Sequence, residues 1–478
     1  MRTLSTDSEK ILEFLDQFKI DKTSKIKISS NLKSIYKNVI SSFKKIDEQS
    51  VMTELICMKK LFLYSQKECN LLRVVKTIYP NPQLQKYLQG SFTDNEKLNL
   101  KNFINNLDDM SNTQCDNWMN LYGAKLLHNF NMLIDFGKIP KNILNIDDEI
   151  LGIYNQFCPL DIQREIETKH NTHCLNKGSF EDYSVNLDIH TKNYPTIRTV
   201  KTLNNYALLM LYLSKNVTDN VNLKLFLTGK KKCLPTKYTV LGPKEINTGS
   251  TMKGINGTIK IWRKEELYKL ILHEMIHFLN LDFKSSNKLN PIYSFLYKVF
   301  NISQEQTIRL TEAYTETIAC IINTIIVSYK FGDKSNLTLF KKMIDYERIF
   351  SCFQIAKILY FYGYKNLEEF FNLSGQFNTN PKWNQTTNVF SYHIIKGAFI
   401  FSINSFIDFC VNNNKQNWLQ FDSNNPNIYK EFQSLIKHCC SDSKFRLYIN
   451  KFMNFIRTNE NKKLFIYRTL RMTALELY

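Results

Sequence analysis

Residues 273–277 read His-Glu-Met-Ile-His, two imidazoles with three residues between them and a carboxylate directly after the first. On a helix, positions i and i+4 share a face one turn apart, so His273 and His277 can offer ring nitrogens to one metal ion. Zinc accepts neutral imidazole, prefers four tetrahedral ligands and keeps one position open where it is catalytic. Glu274 then lies beside that open side, where it can take a proton from a bound water as the general base of metal-assisted hydrolysis. The competing expectation is a pair of core histidines with ordinary hydrogen-bond partners. With 8 histidines in 478 residues, a chance H-E-x-x-H is rare, and a helical setting with a third ligand downstream favours the metal.

Two histidines leave a zinc ion one protein ligand short. Thr311-Glu312-Ala313-Tyr314-Thr315-Glu316 supplies two acids one helical turn apart. Glu312 is expected to complete a His2Glu set. Glu316 is expected to accept the outer N–H of a ligating histidine and so fix its tautomer. Taken alone, the same stretch reads as an acidic helix face, with Glu312 paired to Arg309 at i,i+3.

The elements that must carry these groups follow from the patterning. Arg263 to Asp282 contains no Pro or Gly, and Leu267, Leu270, Ile271 and Glu274 recur at spacings of three and four, which predicts a helix. Upstream, Leu203–Ser214 reads as a helix. The runs Asn222–Leu227, Lys237–Leu241 and Thr258–Trp262 read as short strands punctuated by glycines, Gly249 among them. A small sheet beside the motif helix has a use, because an extended peptide can add to its edge with its scissile bond over the metal. Downstream, Pro291 opens a short helix to Phe300. Ser303-Gln304-Glu305-Gln306 has the form of a capping box, which predicts a long helix from there to about Tyr329. Ala313 and Ala319 permit close approach of a neighbouring helix.

An H-E-x-x-H motif followed by a helix reading E-A-x-T-E at 312–316 resembles the gluzincin zinc metallopeptidases. There the first acid of the second helix is the third ligand and the last makes an outer-shell bond. The resemblance implies those roles for Glu312 and Glu316. It also implies an oxyanion donor from a later helix, for which Tyr392 and His393 are the candidates. Neither Asn280 nor Asp282 supplies the third histidine of metzincins. The block from Ile246 to Phe283 is further similar to metallopeptidase-like proteins of large AT-rich DNA viruses, and the whole resemblance covers roughly a third of the chain. The implied activity is zinc-dependent hydrolysis of peptide bonds, with a peptide or protein as substrate. The alternative is a catalytically silent metallopeptidase-like structural or interaction protein, associated with a virion.

The expected fold class is α+β and predominantly helical. A helical region over residues 1–190 precedes a zincin-like core over 191–345 that holds the small sheet and both site helices. A helical region over 346–478 completes the cleft. The formal charge of +19 admits a nucleic-acid partner. The cations are mostly Lys, however, whereas sequence-specific readers lean on Arg forks, so that partner is not favoured. Eleven scattered cysteines with no C-x-x-C pair do not suggest a disulfide framework. The cluster His170, His173, Cys174 lacks a second ligand pair and reads as a polar loop. The first residues are charged and amphipathic, unlike a signal peptide. Residues 392–411 contain His393, Lys396 and Asp408 and read as a buried helix, so no membrane span is expected. The tail from Tyr448 reads as an amphipathic helical end. An intracellular, cytoplasmic setting, in a host cell or within a virion, is the expectation.

Overall fold

The computed structural model describes residues 3–477, apart from 19–24, 54, 60–70, 73–74, 77, 108–109, 111, 136–137, 139–157, 170–171, 216–220, 254–256, 285, 333–335, 372–381, 415–416 and 460–463. His170 lies outside the described residues. The fold is α+β and mostly helical, around one mixed sheet of seven strands: β1 (Val51–Met52), β2 (Ile56–Lys59), β3 (Thr172–Phe180), β4 (Tyr183–Thr191), β5 (Val221–Thr228), β6 (Gly249–Met252) and β7 (Thr258–Arg263). Their spatial order is β1-β3-β4-β5-β7-β6, with β2 also paired to β3. β3 and β4 form an antiparallel hairpin whose tight turn places Glu181 at φ 50°. β4, β5 and β7 run parallel, and β6 closes the sheet antiparallel to β7.

The parallel centre requires covering helices, because successive parallel strands need a crossover. Helix Ile197–Ser214 makes the crossover from β4 to β5. Val185, Leu187, Ile189, Leu223, Leu225, Ile259 and Ile261 are buried, and they join that helix and the motif helix Leu267–Phe278 in one core. A smaller cluster of Cys158, Ile162, Ile166, Phe226 and Trp262 lies beneath helix Leu160–Lys169. The main core runs from Leu4 to Leu477, whereas helices Pro82–Leu88, Asp94–Asn105 and Asn112–Asp135 contribute to a second core of their own.

Several expectations need correction. Four strands, β1–β4, come from the first 191 residues, which read as mostly helical. The signal was present in β4, where Val185, Leu187 and Ile189 alternate with half-exposed residues. His173 and Cys174 lie in β3, not in a loop. Cys174 is disulfide-bonded, and the strand register sets Cys57 opposite it. The adjacent Cys439 and Cys440 are free. Lys237–Leu241 forms no strand; only Leu241 makes a bridge, to Gln385. The strand at Gly249–Met252 replaces it in the sheet.

The helix predicted from Ser303 starts instead at Leu310 and runs to Phe331. Its expected first turn is held open by tertiary bonds: Tyr297 Oη donates to the Gln306 carbonyl, and Gln385 binds both the Gln306 side chain and the Thr307 carbonyl. This helix is long and apolar enough to cross a membrane, as is a sharply bent pair, Phe390–Phe401 with Ile403–Asn413; the first is 89% buried across its apolar window.

The chain after helix Ser443–Thr458 is the largest departure. Residues 469–475 are buried and irregular rather than helical. Their backbone is satisfied by buried side chains from other elements. Glu266 accepts from the amides of Met472 and Thr473, and Glu347 from those of Ala474 and Leu475. Lys396, Gln354 and Asn323 donate to the carbonyls of Met472, Arg471 and Leu475. Glu266 also pairs with Lys232 and lies 4.0 Å from Lys269.

Burial alone would raise the Glu266 pKa, but Lys232, Lys269 and Arg471 outweigh it and hold the carboxyl at about 2. A depressed carboxylate contributes stability above its unfolded value, lost as pH falls through the folded one. Stability should therefore drop as pH falls from 4.5 towards about 2. Glu266→Gln, which leaves the buried Lys232 ammonium without its carboxylate while Lys269 keeps Glu316, should cost about 3–5 kcal/mol in urea unfolding at neutral pH.

Candidate metal centre

The motif helix is hydrophobic on nearly every side, since it is packed between β6, β7 and two helices, and this buries His273 and Glu274. Helix Leu310–Phe331 packs against it, with Ala313 and Ala319 fully buried. That packing brings Glu312 to the histidines. His273 Nε2 and His277 Nε2 are 3.1 Å apart, and Glu312 Oε2 is 3.4 Å from the first and 3.3 Å from the second. Among the described residues these three form the one His/Cys/Asp/Glu group able to hold a metal ion.

Two observations test the fit of a metal. Tetrahedral zinc with bonds of about 2.0–2.2 Å separates neighbouring donor atoms by about 3.3–3.6 Å, close to the spacings observed. The outer nitrogens also face carboxylates: His277 Nδ1 lies 2.7 Å from Asp282 Oδ2, and His273 Nδ1 lies 2.8 Å from Glu316 Oε2. The second contact is bent away from a good hydrogen-bond line, and neither of its atoms has another partner. Such outer carboxylates hold the ring proton on Nδ1 and turn the Nε2 lone pair inwards. In that tautomer two nitrogen lone pairs and a carboxylate oxygen converge, a donor set that fits a cation.

The electrostatics agree. Burial pushes the His277 pKa down, yet Glu312 and Asp282 carry it well above its usual value. Burial pushes Glu312 up, yet the two imidazoles hold it well below the carboxylate range. Behind this centre, Glu316 bonds the fully buried Lys269.

Glu274 stays outside the donor set. Thr251 Oγ1 donates to its Oε2 at 2.6 Å, and its Oε1 faces Gly249, where a Cβ would approach to 2.7 Å. Tyr392 enters from a π-helical turn, Phe390–Ile395, and its hydroxyl donates to Glu312 Oε2 at 2.9 Å. Burial first, then Glu312, raises its pKa well above the usual phenol value, so it remains a donor.

His273, Glu274, His277, Glu312, Glu316 and Tyr392 thus line one cleft of about 640 Å3. His393 does not join them. It is buried on the inner side of the same turn, where desolvation and Lys396, Lys232 and Lys357 push its pKa well down. The pairing of Glu312 with Arg309 is absent; Glu312 is turned to the imidazoles instead.

Sequence reading missed Asp282, Thr251 and Lys269. Sequence spacing offers Asp282 only as a substitute ligand. Its position in the turn that follows Asn280, itself at φ 53°, is what lets it reach back to His277. Thr251 carried no signal, because its partner is set by sheet pairing.

No family model and no solved structure matches the chain. It is similar to an uncharacterised protein of Acanthamoeba polyphaga mimivirus, 32% identical over 191 residues, which is 37% of this chain and 46% of that protein. The chain thus spans about half the length of this curated relative. The relationship points to a viral protein and, by itself, to no activity.

Proposed function

We propose that the chain is a zinc-dependent peptidase with His273, His277 and Glu312 as metal ligands. The observation that carries this is the convergence of three electron-pair donors at tetrahedral spacing, each imidazole backed by a carboxylate. Zinc bound there supplies the positive charge that acidifies water and polarises a carbonyl.

The chain's own residues do the rest. Glu274, oriented by Thr251, takes the proton of the attacking water and returns it to the leaving amine. Tyr392 turns its one hydroxyl proton from Glu312 Oε2 to the oxyanion that forms from the substrate carbonyl. β6 holds the substrate backbone. Trp262 N–H donates to the Thr248 carbonyl, so by antiparallel alternation Thr248, Ser250 and Met252 bond β7. Gly249 and Thr251 point their N–H and C=O groups away from β7, towards an added strand. Gly249 also keeps the backbone close to Glu274.

Elemental analysis of the purified chain should find one zinc, and a peptide library should be cleaved. Glu274→Gln should retain the zinc and lose turnover by about 10²–10⁴-fold; a variant that cleaves at the parental rate removes Glu274 as base. Gly249→Ala should likewise keep the metal and depress kcat, because its methyl group displaces the Glu274 carboxylate. Asp282→Asn should weaken zinc binding about 10–100-fold in a chelator competition, and unchanged affinity would mean that the contact to His277 is incidental. A chain with neither zinc nor cleavage would instead be a silent, structural protein.

A further inference from the structure

Arg309 stands immediately before helix Leu310–Phe331, which supplies Glu312, and its side chain lines the same cleft. Its backbone is fixed, since the carbonyl accepts the Glu312 amide at 3.1 Å. Its guanidinium lies near enough to the Tyr293 phenol to act on it electrostatically. The side chain is exposed, and among the described residues it makes no hydrogen bond or ion pair.

The surroundings make that unusual. The i,i+3 partner that spacing offers, Glu312, is taken by His273, His277 and Tyr392. Glu316 is taken by Lys269 and His273, and Glu274 by Thr251. The other cation on the cleft wall, Lys253, is held by Asn280 at 2.8 Å and lies 3.9 Å from Asp282. Of the Lys and Arg side chains on the cleft wall, Arg309 is the one with no hydrogen bond or ion pair among the described residues, and the exposed Glu305 carboxylate nearby is not paired with it either.

We propose that Arg309 reads a carboxylate on the peptide substrate, close to the scissile bond. This rests on the reading of the cleft as a peptide site. A guanidinium presents a planar fork of donors that matches a carboxylate with two parallel bonds. An extended peptide advances about 3.3 Å per residue, so an arginine less than one helical turn from a metal ligand meets groups within about two residues of the bond. The chain's charge of +19 adds a field that draws anionic partners to the surface. The carboxylate has two sources, an Asp or Glu side chain or the C-terminal group of the peptide. The first makes an endopeptidase with an acidic preference, the second a carboxypeptidase.

The full chain carrying Glu274→Gln and loaded with zinc separates these by fluorescence anisotropy. The probes are four otherwise identical labelled peptides, with Glu or Gln at one position and a free or amidated C-terminus. At least one carboxylate should tighten binding about 10- to 100-fold. Arg309→Gln should abolish that advantage, and Arg309→Glu should invert it in favour of a Lys-containing peptide. Gain in the Glu arm identifies a side-chain reader, and gain in the free-terminus arm a terminus reader. Equal binding of all four, binding of none, or an advantage that survives Arg309→Gln overturns the assignment.

Cleavage of the doubly neutral peptide by the parental chain is measured separately. Carboxylate preference without any cleavage leaves the Arg309 assignment and removes the peptidase reading. Cleavage without preference does the reverse.

Discussion

Glu312 Oε2 lies 3.3 and 3.4 Å from two imidazole nitrogens that are themselves 3.1 Å apart. These atoms do not attract one another when each imidazole carries its proton on the outer nitrogen. In that tautomer the site favours positive charge, and much of the surrounding structure supports the arrangement. Asp282 and Glu316 turn the rings inwards, and Lys269 neutralises the acid that would otherwise be buried alone. A buried carboxylate or ammonium left without a partner is costly, so each link in this chain requires the next.

That chain of buried charge reaches well beyond the cleft. From Lys269 it passes to Glu266 at the start of the motif helix, then to Lys232 and to the amides of Met472 and Thr473. The segment after residue 468 is fastened in turn by Glu347, Gln354, Lys357 and Lys396. The motif helix is thus anchored at its N-terminus by polar bonds and along its length by apolar packing on the sheet and on helix Leu310–Phe331. Rigid support of this kind holds a donor set at metal spacing.

The sheet plays a second part. β6 is its terminal strand, and it is short, exposed at Met252 and placed directly beside Glu274. Open strand edges are usually blunted because they recruit other chains. Here the open edge coincides with the cleft, which is the feature the proposed peptide site rests on. Gly249 serves both ends: without a side chain it leaves room for the Glu274 carboxylate and for a backbone laid alongside.

Local sequence determined the motif helix, its two histidines on one face and the paired acids at Glu312 and Glu316, because helical periodicity depends only on near neighbours. It also determined the predominance of helix and the presence of strands at Val221–Thr228 and Thr258–Arg263. It did not determine where the helix bearing Glu312 begins, since the bonds that unwind residues 303–309 come from Gln385 and Tyr297. Nor could it choose between Tyr392 and His393. Adjacent residues on a turn face different surroundings, and only packing set Tyr392 towards Glu312 and His393 towards buried lysines. The pairing of Asp282 with His277, the hold of Thr251 on Glu274 and the burial of residues 469–475 all join groups distant in the chain or opposed across a turn. Such contacts follow from how elements pack, and no periodicity within a single element records them.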